Sequence, residues 1–209
     1  KIGDLPLRNW RDGTWTGAQK ISGQKMVETI LKGRYFCKSC IIGCGREVSF
    51  DNGHYKVDGA GPEYETLGML GGMCLIDDLE AIAYGNELCN RYGLDTISVG
   101  GVIAMAMELY ENRLITEQDS GGVALTWGNA EAMLELIRQI AEATGLGRLL
   151  GNGVRHVARE IGGKAFEYAI HVKGLEFPAH DPRAYNSMAL GYATSNRGAC
   201  HLQGASFFF

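Results

Sequence analysis

The sequence has little net charge, few cysteines and no long apolar run. Its 209 residues carry 20 basic and 24 acidic side chains, a formal charge of −4. No basic surplus is available to draw nucleic acid or an anionic membrane surface, so neither is expected as a partner. Six cysteines in 209 residues are too sparse for a disulfide scaffold. The longest nearly uncharged run, Thr96 to Met107, falls well short of the roughly 20 residues that a membrane span needs. No internal repeat and no low-complexity stretch occurs. The chain opens Lys1-Ile2-Gly3-Asp4, with no initiator Met, no basic n-region and no apolar h-region, so no signal peptide is visible and a cytoplasmic setting is expected. It stops on the apolar Phe207-Phe208-Phe209 and reads as a piece of a longer protein.

What is present points to a folded, mainly helical chain. A content of 45% hydrophobic and 21% charged residues excludes a disordered chain. A domain of about 150 residues or more buries roughly 70% of its unfolded surface, so one large or two small cores are available. Residues 1–20 show no clear period. Ser22 to Lys32 reads as a short helix, and residues 45–61 as a small hairpin around Val48, Phe50, Tyr55 and Val57. Asp77 with Glu80 fits a capping box opening a helix that Gly93 ends. Asp95 fits the N-cap of a helix from Thr96 to about Asn112, apolar nearly all round and therefore buried. Its small residues Ser98, Gly100, Gly101 and Ala104 leave room for another backbone or a ligand. Asn129 fits a third cap, ahead of Met133, Leu136, Ile137 and Ile140. Two shorter helical pieces follow, the pattern breaks around 177–182, and 184–193 is helical again.

Cys37-Lys-Ser-Cys40-Ile-Ile-Gly-Cys44 is the sharpest local signal. Three thiolates this close converge on one soft metal if the backbone wraps around it, and Ile41, Ile42 and Gly43 suit a partly dry site. Zinc and an iron–sulfur cluster both use such thiolates, and three free thiols are the plainer reading. A zinc ribbon wants a second Cys-x-x-Cys some 15–20 residues on. Cys74 and Cys89 stand alone instead, which favours a cluster. Cys74, Cys89 and Cys200 read as core cysteines.

Seven segments together resemble the tungsten-containing aldehyde:ferredoxin oxidoreductase family. They are Leu5-Pro-Leu-Arg-Asn-Trp10, Cys37-x2-Cys40-x3-Cys44-Gly-Arg, Gly61-Pro-Glu-Tyr-Glu-Thr66, Asn90-x-x-Gly-Leu-Asp-Thr-Ile-Ser98, Ala104-Met-Ala-Met-Glu-Leu-Tyr110, Asp181-Pro-Arg183 and Tyr192-Ala-Thr-Ser-Asn-Arg-Gly-Ala-Cys-His201. The resemblance implies a multihelical fragment with two all-α domains, here residues 1–168 and the truncated start of the second at 169–209, with a small hairpin near 46–58. It implies an oxidoreductase that converts a small aldehyde to a carboxylic acid at a tungsten (or molybdenum) bis(molybdopterin) centre and passes electrons through a 4Fe-4S cluster to ferredoxin. The N-terminal pterin domain and the fourth cluster ligand are expected outside this chain.

Site residues follow from the resemblance by position. Cys37, Cys40 and Cys44 match cluster ligands; Asn90, Gly93, Leu94 and Asp95 match a pterin-binding loop; Glu65 and His201 match an acid–base pair beside the tungsten. From the residues alone, Asp95 reads as a helix cap, Glu65 as one of two solvated carboxylates flanking Tyr64, and His201 as an ordinary polar residue near a break. Four positions depart from the family's pattern. Asn90 stands where Asp is commoner. Tyr84 and Glu87 replace a Glu-x-x-His pair that binds an iron between subunits, so a homodimer stays open but an iron bridge across it is not expected. Gln203 replaces a pterin-contacting Lys. Relatives acting on a sugar-phosphate aldehyde or serving as the tungsten subunit of an aromatic acyl-CoA reductase are the alternative, and a structural zinc module is a more distant one.

Overall fold

A computed structural model of the chain describes residues 3–204. The apolar end Phe207–Phe209 lies outside the described residues. The fold is mainly α. In chain order it runs α1 (Gly23–Thr29), β1 (Leu31–Tyr35), β2 (Gly45–Asp51), β3 (Lys56–Ala60), α2 (Tyr64–Thr66), α3 (Leu79–Tyr92), α4 (Thr96–Glu111), α5 (Ala130–Glu142), α6 (Gly147–Leu150), α7 (Val154–Ile161), α8 (Ala165–Tyr168), β4 (His171–Val172), β5 (Leu175–Glu176) and α9 (Asn186–Thr194).

The central element is α4. Val102, Ile103, Met105, Met107 and Leu109 are all buried there, and each such side chain stabilises the fold by about 1.5–3 kcal/mol on leaving water. Asp95 caps this helix by accepting from the Ser98 N–H at 2.9 Å. The small residues of α4 admit another backbone, as expected: a Cβ at Gly100 would lie 2.6 Å from the Met69 carbonyl carbon. Met69 belongs to an unusual stretch. After α2 the chain continues through a π turn (Leu67–Gly71) and a 3-10 turn (Gly72–Cys74). The Gly72 N–H there is shared between the Gly68 and Leu67 carbonyls.

α3 and α5 pack beside this core. The N-cap of α3 is Asp78 rather than Asp77: Asp78 accepts from both the Glu80 and Ala81 N–H groups, while Asp77 pairs with Lys20 at 2.6 Å. Gly93 closes α3 at φ 70°, a left-handed conformation that glycine adopts without a Cβ penalty. Asn129 caps α5 through the Ala132 N–H, and Met133, Leu134, Leu136, Ile137 and Ile140 form its buried stripe.

The hairpin read from 45–61 is two strands of a three-stranded antiparallel sheet in the order β1-β2-β3. Its register pairs Leu31 with Val48 and Glu47 with Ala60. β1 occupies the end of the stretch read as helix from Ser22, and that helix stops at Thr29. A second hairpin, β4–β5, was not expected. Glu176 on it is buried, accepting from the first N–H of α7 (Val154, 2.9 Å) and from Ser98 Oγ on α4 (3.0 Å). Beyond it, Met188, Tyr192 and Ala199 form a separate small apolar cluster.

Candidate active site

Gly61 sets up the approach to the site. Its N–H donates to the Arg46 carbonyl on β2 at 2.7 Å, and a Cβ there would lie 2.6 Å from Val48 Cγ1. Only a bare backbone lets the Gly61-Pro-Glu-Tyr-Glu segment pack this closely, and the segment brings Glu63 and Glu65 to one cavity. Thr66, just after, bonds Thr96 Oγ1 at 2.9 Å, and Asn86 donates to the Ala60 carbonyl at 3.0 Å. These ties join α2, α3, α4 and β3 around a cavity of about 590 Å³. Glu63, Glu65, Asn90, Leu94 and Asp95 all line it. Three of the four loop residues read as a pterin site therefore share one cavity with the carboxylate read as catalytic, and Gly93 supplies the turn between them.

Glu65 is anchored from one side only. Its Oε2 accepts from the Ala179 N–H at 2.5 Å. The other oxygen, Oε1, is buried and has no hydrogen-bond partner among the described residues. Oε1 lies 3.4 Å from Nε2 of His201 and 3.8 Å from Nε2 of His180. The Glu65 and His201 side chains are each 18% exposed. Burial raises the Glu65 carboxyl above its ordinary value, against the opposing pull of the Ala179 N–H and the His180 charge. Burial also lowers the His201 imidazole, with His180 and Arg197 adding to that effect and Asp95 opposing it. A carboxyl raised toward neutrality beside an imidazole held neutral is a pairing suited to proton transfer.

Two residues of this site, His180 and Asp4, were not singled out in the sequence reading. His180 Nδ1 lies 3.1 Å from Asp4 Oδ2, and the His180 ring stacks on Tyr64 with centroids 4.8 Å apart. Tyr64 in turn donates to Asp4 Oδ2 at 2.7 Å. Tyr192 on α9 holds the His180 carbonyl at 2.8 Å. The available clue was the polar His180-Asp181 pair inside the break at 177–182; Asp4 offered none.

The cysteines sit on a loop between β1 and β2. Left-handed residues at Ser39 (φ 63°) and Gly43 (φ 60°) reverse it, and the Cys40 N–H donates to the Cys37 carbonyl at 3.0 Å. All three are free thiols; Cys37 and Cys44 are exposed and Cys40 is partly exposed. Among the described residues no group of three His, Cys, Asp or Glu side chains is close enough to hold a metal ion. The thiol donor set suits an iron–sulfur cluster, but the convergence of the three thiols and the partly dry setting expected from Ile41 and Ile42 are not found, the two isoleucines being 94% and 71% exposed. Arg46 links the loop to the cavity wall, donating to the Cys44 carbonyl at 3.3 Å and pairing with Glu63. Cys74, Cys89 and Cys200 are buried, as read.

At the departing positions, Tyr84 stacks on Tyr55 at 5.4 Å and Glu87 pairs with Arg91 at 2.6 Å. Gln203 accepts from Ser195 Oγ at 2.7 Å. Among the described residues no helix is long and apolar enough to cross a membrane.

Comparison with known proteins places the chain in a family. Tungsten-containing aldehyde ferredoxin oxidoreductases of Pyrococcus horikoshii and Thermococcus kodakarensis are each 40% identical to it, over 204 and 202 residues. A WOR-like subunit of an aliphatic sulfonate oxidoreductase from Pyrococcus furiosus is 30% identical over 209 residues. Each match covers 96% of this chain and 33% of the relative, so the chain spans about a third of their length. A chain of the active site complex BamBC of benzoyl coenzyme A reductase shares the fold, with a TM-score of 0.76 at 24% identity over 94% of this chain and 30% of that one. The family model described as aldehyde ferredoxin oxidoreductase, domains 2 and 3, matches residues 1–209. The chain belongs to the aldehyde ferredoxin oxidoreductase family.

Proposed function

We propose that the full-length protein oxidises an aldehyde to a carboxylic acid, with Glu65 and His201 as the catalytic pair. The observation that carries this reading is the shared cavity: Glu65 lines it together with Asn90, Leu94 and Asp95, and Glu65 Oε1 faces His201 at 3.4 Å. Support comes also from the 40% identity to enzymes named for that activity.

Asn90, Leu94 and Asp95, with Gly93 at the turn, would hold a pterin, and Cys37, Cys40 and Cys44 would supply three cluster ligands. The Asp95 carboxylate suits paired N–H donors of an amino-pyrimidine ring, a charge-assisted contact. When bound, a tungsten or molybdenum pterin centre supplies the two-electron oxidation, and a 4Fe-4S cluster a one-electron path to ferredoxin. The net change is aldehyde plus water to carboxylic acid, two electrons and two protons. The Glu65 carboxylate takes a proton from the attacking water, a task that its raised carboxyl matches. His201, its imidazole lowered by burial, donates its N–H to the aldehyde oxygen as negative charge builds there.

The test uses the full-length protein purified without oxygen. Elemental analysis for W, Mo, Fe and Zn is paired with viologen-dye reduction on a panel of aldehydes. Tungsten or molybdenum with iron, and dye reduction by simple aldehydes, is the expected result. Zinc alone, or no reaction with any aldehyde, refutes the proposal; turnover only with an acyl-CoA or a sulfonate moves the protein to a relative's chemistry.

A further inference from the structure

Behind Glu65 stands a pair of groups for which the mechanism above has no use. His180 presents Nε2 to Glu65 Oε1 at 3.8 Å and Nδ1 to Asp4 Oδ2 at 3.1 Å. The imidazole is thus sandwiched between two carboxylates. Asp4 and Tyr64 line a second cavity of about 880 Å³, which shares no lining residue with the cavity of Glu65. Its polar lining includes Thr14, Gln19 and Ser22. His180 is the only imidazole among the described residues placed against both carboxylates.

From this juxtaposition we infer that His180 and Asp4 form a proton relay connecting Glu65 to the second cavity. The inference rests on the reading of Glu65 as the proton acceptor. Each turnover releases two protons, and a substrate seated in the first cavity leaves Glu65 no path to water on that side. The 3.8 Å gap is about 1 Å longer than a hydrogen bond, a distance that a side-chain rotation or one bridging water closes. The step moves protons only. Protonated Glu65 gives its proton to His180 Nε2, and the Nδ1 proton passes to the Asp4 carboxylate. Asp4 then releases it to water in the second cavity. Glu65 ends as a carboxylate, Asp4 as a carboxylate, and the imidazole as the Nε2–H tautomer; proton exchange with water, one nitrogen giving up a proton and the other taking one, returns it to the Nδ1–H form before the next turnover. Both residues act through Glu65 and are positioning residues.

The groups facing His180 fix the signs. Among the described residues they include Asp4, the Tyr64 ring, Glu65, the Tyr192 hydroxyl on its carbonyl, and His201, whose ring centroid lies 6.0 Å away with Arg197 and Asp95 beyond it. His180, whenever it carries both protons, draws the Glu65 carboxyl down, and the Asp4 charge pushes it up. Removing His180 therefore raises Glu65 further, and neutralising Asp4 lowers it.

The experiment takes the full-length holoenzyme as wild type, His180→Gln, His180→Ala, Asp4→Asn and Glu65→Gln. One readout is independent of turnover: the infrared carbonyl stretch of protonated Glu65, identified by its loss in Glu65→Gln and titrated with pH. Its midpoint is expected to move up in His180→Gln and down in Asp4→Asn. The kcat of His180→Ala is expected to fall about tenfold or more with KM unchanged, and free imidazole in the buffer to restore part of it, whereas Glu65→Gln shows no such rescue. Wild-type kcat across the pH range in His180→Ala overturns the relay. So does a rate loss that imidazole leaves untouched. If Glu65→Gln itself turns over at the wild-type rate, the reading of Glu65 falls instead.

Discussion

Replacing Glu65 with Gln separates a chemical role from a structural one. The carboxylate has one structural tie, Oε2 to the Ala179 N–H at 2.5 Å, and one free oxygen, Oε1. Gln is nearly isosteric. Its amide oxygen keeps the Ala179 bond, and its NH2 group takes the place of Oε1, facing the nitrogens of His201 and His180. What is lost is the ability to accept a proton, which general-base catalysis values at about 10²–10⁴-fold in rate. Stability moves the other way. Burial holds the carboxyl above its ordinary 4.5 in the folded chain, so folding is favoured by the protonated form. That contribution is fully present below the unfolded value and is lost as pH rises through the folded one. Each pH unit of elevation costs the ionised folded state about 1.4 kcal/mol. Glu65→Gln removes this cost, so its Tm should match the wild type at acid pH and exceed it increasingly toward neutrality. The assay is kcat at neutral pH in protein of wild-type metal content, with calorimetry across the same pH range. Wild-type turnover refutes the catalytic role. A Tm several degrees below wild type at neutral pH refutes the account of an electrostatically costly carboxylate and makes Glu65 a tie for Ala179.

The other predictions are narrower. Asp95→Ser keeps an N-cap acceptor for the Ser98 N–H and should change stability by only a few tenths of a kcal/mol, whereas Asp95→Ala costs about 1 kcal/mol. Both should lower the pterin released from the full-length protein, and wild-type pterin content in both would leave Asp95 a cap alone. Gly100→Ala drives a Cβ to 2.6 Å from Met69 backbone and should destabilise the fold by up to about 3 kcal/mol, read by denaturant unfolding; a neutral result would mean that α4 and the π turn are free to separate. Cys44→Ser should remove iron, sulfide and visible absorbance together, and retention of all three would take Cys44 out of the ligand set.

Local signals in the sequence located most helices, because a cap and an apolar stripe lie within one segment. Asp95 and Asn129 bond the N–H groups that their positions imply. Asp77 misled because two adjacent aspartates fit the same pattern, and Lys20, distant in sequence, takes Asp77 out of competition. β1 was not legible: Leu31–Tyr35 is short, mostly exposed, and becomes a strand through its pairing with β2. The π turn at Leu67–Gly71 had no periodicity to announce it. The site was harder still. Glu65 and His201 meet only after α9 and the segment carrying Ala179 fold back on α2, so nothing near either residue predicts the other. Family resemblance brought those two forward. Asp4 and His180 were beyond it, since their partnership is a product of packing: Gly68 admits Ala179 so closely that a Cβ on it would lie 2.5 Å from that methyl.

The turn from Leu67 to Gly71 gives the helical run through Glu65 a surplus of one amino acid over regular winding. Deleting a single residue there would rewind it, and each residue of an α-helix accounts for about 100° of rotation. Glu65 would then swing off its present bearing while the buried side of α4 stayed where it is. Aim of the carboxylate is thus encoded in spacing as well as in residue identity, and a shortened chain could retain every side chain of the site yet point the base away from its imidazoles.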